Sequence, residues 1–228
     1  MNTTPGGNDG SHDRDPSRVL LVEDHPLMLR SVQTIIEDYE GLAVGAIADT
    51  ADAAIRRLND EPIDMAIIDI SLGERSGLDL IREMLALKPD LRILVFSMHD
   101  ESVYAERALR AGALGYVNKA RSMDELLSAI EKVRRGEPSV SSSVGERLVR
   151  QLLQSTRGSP TGVQSLTDRE LQVFQMIGKG MNRASIADSL SVSAKTIDAH
   201  RQHIKEKLRL DNGAELSRYA ALWVQENA

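Results

Sequence analysis

Residues 63–72, IDMAIIDISL, set Met65, Ala66, Ile67 and Ile68 in an unbroken apolar run behind Pro62 and ahead of Gly73. Such a run suits a strand buried on both faces, the habit of a central strand in a parallel sheet. Short apolar runs recur at 19–22, 42–48, 91–96 and 114–117. Between them the apolar positions change to helical spacing. Pro26 opens a helix whose stripe is expected at Leu27, Ser31 and Ile35, and a second helix over 51–58 follows a cap at Thr50 or Asp49. Further helices are expected at about 78–87, 103–110 and 123–135, the last with Leu126, Leu127, Ile130 and Val133 inward. Five strands alternating with five helices over residues 18–136 predict an α/β domain built on a doubly wound, five-stranded parallel sheet.

The pattern changes after Gly136. Residues 137–163 are enriched in Ser, Gly, Pro and Thr, and are expected to be a linker carrying one short helix at 144–153. Residues 1–17 have almost nothing apolar and are expected to be a disordered tail. From 164 to 228 only helical spacing remains. Thr167, Asp168, Arg169 and Glu170 form a capping-box pattern that starts a helix at Asp168, with Leu171, Phe174 and Ile177 on its core face and Gly178 and Gly180 at its end. Asn182 caps a second helix holding Ile186, Ala187 and Leu190. After the turn at 191–193, Ser193 caps a third helix running to about Leu208. A fourth presents Leu216, Tyr219, Ala220 and Trp223. Four short helices with a tight second turn predict a second, all-α helix-turn-helix domain.

Composition narrows the chemistry. With no cysteine the chain has neither disulfides nor thiolate metal sites. No stretch approaches the roughly 18 apolar residues of a membrane-spanning helix, and the first 17 residues lack the apolar core of a signal peptide. A cytoplasmic protein without a membrane partner is expected. The net charge of −6 is uneven: residues 18–136 carry 15 basic and 21 acidic side chains, whereas residues 164–228 carry 9 and 8. The two domains should therefore meet different partners.

In a parallel sheet the strand ends share one edge, and here they deliver Glu23 and Asp24, Asp69, Ser97 and Lys119. Clefts at that edge are where such folds bind ligands. Three carboxylates against one amine require neutralisation, and Mg2+ takes hard oxygen ligands while keeping waters. A carboxylate beside a metal, a lysine and a hydroxyl is suited to accept a phosphoryl group. A strand-end salt-bridge network without chemistry is the alternative. In the third helix of the last domain, Ile197, Ile204 and Leu208 face one way, while Lys195, Asp198, Ala199 and Gln202 face the other. Gln202 suits an adenine edge and Ala199 a thymine methyl, with Lys195, Thr196, Arg201 and Lys205 for phosphates. By charge alone this front equally describes a solvated surface helix.

Residues 18–136 resemble the flavodoxin-like receiver domain of two-component response regulators, through Glu23, Asp24, Asp69, Ser97 and Lys119. The resemblance implies that Asp69 is the phosphoacceptor. It also implies Mg2+ held by Glu23, Asp24, Asp69 and the Ser71 main-chain carbonyl, and Lys119 on the phosphoryl oxygens. Ser97 and Tyr116 fall on the switch positions, Tyr116 being equally readable as an ordinary strand aromatic. Ala120 stands where many receivers have proline, and the loop 71–77 lacks the usual Met-Pro. Leu166–Glu170, the pair Ile186-Ala187, Lys195–His200, Lys207-Leu208 and Ala214–Leu216 resemble the LuxR-type helix-turn-helix. Together these are the architecture of NarL/FixJ-family regulators. That family implies a sensor histidine kinase and promoter DNA as partners, His200 as scaffold, and a homodimer when phosphorylated. Its dimer contacts would fall on Leu216, Tyr219, Ala220 and Trp223.

The expected function is a phosphorylation-regulated transcription factor, not an enzyme. A Mg2+-dependent phosphatase acting through an aspartyl intermediate is the second reading, weakened because Ser71 stands where such hydrolases place a second acid. A constitutive DNA binder with a scaffold receiver is the third.

Overall fold

A computed structural model describes residues 15–73, 75–154 and 162–226. The expected tail lies almost wholly outside them. The central sheet holds β1 (Ser17–Val22), β2 (Leu42–Ala48), β3 (Met65–Ile68), β6 (Arg92–Ser97) and β7 (Gly115–Asn118), all parallel in the order β2-β1-β3-β6-β7. β3 is thus the central strand, and all four of its residues are buried. A two-stranded antiparallel hairpin, β4 (Ser71–Leu72) with β5 (Arg75–Ser76), follows it directly.

Strand alternation divides the apolar residues between two faces. Val19, Leu21, Met65, Ile67, Leu94 and Phe96 pack under α1 (Pro26–Glu37) and α5 (Met123–Arg134). Leu20, Val22, Ala66, Ile68, Ile93 and Val95 meet α2 (Ala51–Asp60), α3 (Gly77–Leu87) and α4 (Glu101–Ala111). The doubly wound arrangement expected from the alternation is present. The stripe of α1 differs by one position: Val32 and Ile36 are buried with Met28 and Leu29 against them, whereas Leu27 is 83% exposed. One residue is a rotation of about 100° on a helix, so adjacent rows with similar apolar content are hard to tell apart by spacing.

The expected linker is docked over its first part. Ser139 bridges to Gly115 beside β7, donating to the Leu114 carbonyl at 2.9 Å and accepting from the Tyr116 N–H at 2.8 Å. Glu101 accepts from the Ser141 N–H at 2.9 Å, and α6 (Ser142–Gln154) buries Val144.

A 3-10 turn (Gly162–Ser165) leads into α7 (Asp168–Gly178), α8 (Arg183–Ser189), α9 (Ala194–Leu208) and α10 (Gly213–Glu226). The capping box is complete, with Thr167 and Glu170 each satisfying the other's backbone N–H. Glu170 also accepts from Lys207 Nζ at 2.6 Å. Burial works to raise its pKa, but the bonds from Lys207 and Thr167 outweigh it and hold the carboxyl below its ordinary value.

Gly77 begins α3 directly behind the Asp69 strand end, where a Cβ would stand 2.2 Å from the Asp69 carbonyl oxygen. Backbone cannot yield there as a side chain can. Gly77→Ala should lower the unfolding free energy by about 1–3 kcal/mol, read by urea denaturation with the slope unchanged.

Candidate functional site

The sheet carries Glu23, Asp69, Ser97 and Lys119 to one edge, and all four are buried. Lys119 Nζ donates to Glu23 Oε2 at 2.5 Å and to Asp69 Oδ2 at 2.6 Å. Ser97 Oγ donates to Asp69 Oδ1 at 2.6 Å, and the Ser71 N–H reaches the same oxygen at 3.3 Å. Asp69 therefore has partners on both oxygens, all of them reached through strand ends or the turn that follows.

Asp24 is more open, and its Oδ1 lies 2.7 Å from His25 Nδ1. His25 also stands 3.3 Å from Glu23 Oε1 and caps α1. Sequence reasoning passed over His25. Its signal was its place directly after the acidic pair and before Pro26. Glu23, Asp24, His25 and Asp69 offer ligand atoms within 4.8 Å of one another.

Three carboxylates face one ammonium here. Burial pushes the Glu23 carboxyl above its ordinary range, although Lys119 opposes the shift. The nearby Asp69 carboxylate adds to the upward shift. The clustered carboxylate oxygens are the hard donors that Mg2+ takes, so the residues present fit that ion.

Tyr116 is turned inward and buried, and its hydroxyl donates to the His99 carbonyl at 2.8 Å. Asn118 donates to the same carbonyl at 2.7 Å. Burial raises the Tyr116 pKa far above the usual phenol range and lowers that of His99. The Ala120 N–H donates to Asn118 Oδ1 at 2.8 Å, a bond that proline could not make.

On α9, Lys195, Asp198, Ala199 and Gln202 are exposed, with Thr196, Arg201 and Lys205 half-buried. The back of the helix buries Ile197 and Ile204. Asp198 is paired with Arg183 at 2.7 Å, and Gln202 donates to Glu206 at 2.8 Å. His200 is half-buried with its pKa lowered by burial and by Arg169.

On α10, Leu216 and Ala220 are fully buried, and Trp223 meets Phe174 edge-on with ring centres 5.8 Å apart. These three pack the module's own core. Tyr219 stays at the surface at 37% exposure, beside Leu222 at 53%, a neighbour that the helical stripe did not single out.

The sequence model of the response regulator receiver domain matches residues 19–131, and that of bacterial regulatory proteins of the luxR family matches residues 164–220. The transcriptional regulatory protein MctR of Rhizobium johnstonii is 31% identical over 91% of this chain and 94% of its own length. The chain belongs to the NarL/FixJ family of response regulators. The response regulator UvrY of Escherichia coli K12 is 29% identical over 89% of this chain and 92% of its own. In fold, the chain is similar to RcsB of Salmonella enterica serovar Typhimurium bound to promoter rprA, with a TM-score of 0.59 at 23% identity, covering 91% of this chain and 99% of that one. This response regulator thus joins a receiver to a LuxR-type helix-turn-helix, the architecture of DNA-binding transcription regulators.

The raised Glu23 pKa has a testable sign. Ionising a carboxyl whose folded pKa is raised costs stability, so the cost begins near 4.5 and is complete above the raised value. Gln mimics the protonated acid. Without metal, Glu23→Gln should be more stable than wild type at neutral pH, and the gain should fade as pH falls toward the ordinary carboxyl value. Adding Mg2+ should raise the melting temperature of wild type more than that of the variant.

Proposed function

We propose that this response regulator accepts a phosphoryl group on Asp69 from a sensor histidine kinase and changes its grip on promoter DNA in consequence. The observation that carries the reading is Asp69 held on both oxygens, by Ser97 and by Lys119, within an acidic cluster. In the transfer, an Asp69 carboxylate oxygen would attack phosphorus as the phosphorus–nitrogen bond to the kinase histidine breaks, the imidazole leaving with the electron pair. Glu23, Asp24, Asp69 and the Ser71 carbonyl would hold Mg2+, which supplies positive charge to the transferring oxygens. Lys119, bonded to Asp69 Oδ2, would add its charge to those oxygens.

The product adds about −2 charge at a crowded site. Ser97 Oγ, now committed to Asp69, would turn its hydroxyl to the phosphoryl oxygens. Tyr116, whose hydroxyl is tied to the His99 carbonyl two residues beyond Ser97, would feel that movement.

Lys195, Thr196, Arg201 and Lys205 would meet phosphates, and Ala199 and Gln202 base edges, with Asp198 set between them by Arg183. The receiver leaves Lys195, Asp198, Ala199 and Gln202 exposed, so control here need not act by covering them. A homodimer on two half-sites, paired through the surface at Tyr219 and Leu222, fits the exposed part of α10. That dimer would act in the cytoplasm; among the described residues no helix is long and apolar enough to cross a membrane.

Incubation with Mg2+ and a small-molecule phosphodonor should add one phosphoryl group to wild type by intact mass and none to Asp69→Ala. An equal adduct on the variant would remove Asp69 from its role. On DNA, Lys195→Ala should weaken binding across sequences and flatten the salt dependence by about one unit of slope, whereas Gln202→Ala should alter sequence preference.

A further inference from the structure

Between the acidic site and the DNA-binding module stands one side chain that the family reading leaves without a role. His99 is held by its backbone and by its ring. Its N–H points to Ser97 Oγ at 3.4 Å, and its Nε2 lies 2.9 Å from Ser71 Oγ. Its carbonyl accepts from Tyr116 and Asn118. Its ring leans on Tyr104 of α4, with centroids 4.4 Å apart and planes tilted by 31°.

Tyr104 is fully buried, and its hydroxyl donates to Gln175 Oε1 of α7 at 3.1 Å. Three residues further along the same face of α4, Arg107 reaches the beginning of α7. It donates to the Leu166 carbonyl at 2.8 Å and to Asp168 Oδ1 at 2.9 Å. Tyr104 thus touches His99 on one side and α7 on the other, while Arg107 reaches across from α4 to the DNA-binding module.

We infer that His99, Tyr104 and Gln175 form a coupling route from the phosphorylation site to the DNA-binding module, with Arg107 clasping the two domains beside it. The inference rests on the reading of Asp69 as phosphoacceptor. Ser97 and Ser71 both flank Asp69, so turning either toward a phosphoryl group disturbs a bond that places His99. The displaced ring no longer supports Tyr104, whose hydroxyl keeps the Gln175 acceptor only while α7 is docked. His99 and Tyr104 act as positioning residues, and neither touches the transferred group.

A coupling of this kind is reciprocal: whatever phosphorylation does to the interdomain contact, loss of the contact does in reverse to phosphorylation. The probe is beryllofluoride with Mg2+, titrated into the full chain by calorimetry. Gln175 lies in the DNA-binding module, so an effect of Gln175→Leu at the acidic site has to cross the interface. Gln175→Leu and Tyr104→Phe should each bind beryllofluoride about threefold to fivefold more tightly than wild type, the scale of one net hydrogen bond. The double variant should be no tighter than either single one. A Gln175→Leu protein that melts like wild type and binds beryllofluoride equally or more weakly overturns the route. Independent, additive effects of the two substitutions also overturn it. Failure of wild type itself to bind beryllofluoride would instead overturn the reading of the site.

Discussion

The functional edge is arranged around one ammonium held between two buried carboxylates. Lys119 comes from the end of an edge strand, Glu23 from the end of β1 and Asp69 from the end of the central strand. Attraction between these groups ties three strand ends together without satisfying the site, because Asp24 adds a third negative charge close by. Removing charges from water is costly, and a pair repays that only with good geometry and further hydrogen bonds. Here the geometry is good, and a carboxylate is still left over. The edge is therefore held together yet left with an excess of negative charge, as the proposed uptake of Mg2+ and a phosphoryl group requires.

The same edge is joined to the far module through α4. The polypeptide after β7 adds Ser139 to the rim of the sheet, and α6 buries Val144 in the apolar cluster that also holds Tyr104 and Ala108. That cluster includes Val163, Leu166 and Leu171 of the second module. Arg107 and Arg169 add polar ties, the latter reaching the Gly73 carbonyl in the loop after Asp69. The face of α9 that carries Lys195, Asp198, Ala199 and Gln202 remains open in this arrangement. The contact that holds the DNA-binding module in place is thus remote from that face of α9.

Much of this was legible from residue order. The apolar run at 65–68, flanked by charged and turn residues, identified the central strand, and parallel topology alone then gathered Glu23, Asp69, Ser97 and Lys119. The capping box at Thr167 and the caps at Asn182 and Ser193 marked helix starts because those signals are local. The misplaced stripe of α1 shows the limit of spacing where two neighbouring rows are both apolar. Composition suggested a loose tether at 137–163, yet its first part is held by partners such as Glu101 and Tyr116. Tyr104 and Gln175 lie 71 residues apart, and no local pattern announces a bond across that interval. On α10 the periodicity correctly found an apolar stripe, but Leu216 and Ala220 face inward while Leu222 lies outside it.

The most direct test of the central claim, that chemistry at Asp69 governs the grip on DNA, is affinity for a DNA duplex selected from a random pool. It would be measured at one fixed salt concentration with and without beryllofluoride and Mg2+. The account predicts binding at least about tenfold tighter with the phosphoryl analogue for wild type, within the usual range of allosteric coupling, and no change for Asp69→Ala. Equal affinity of loaded and unloaded wild type, with the analogue bound, would contradict it.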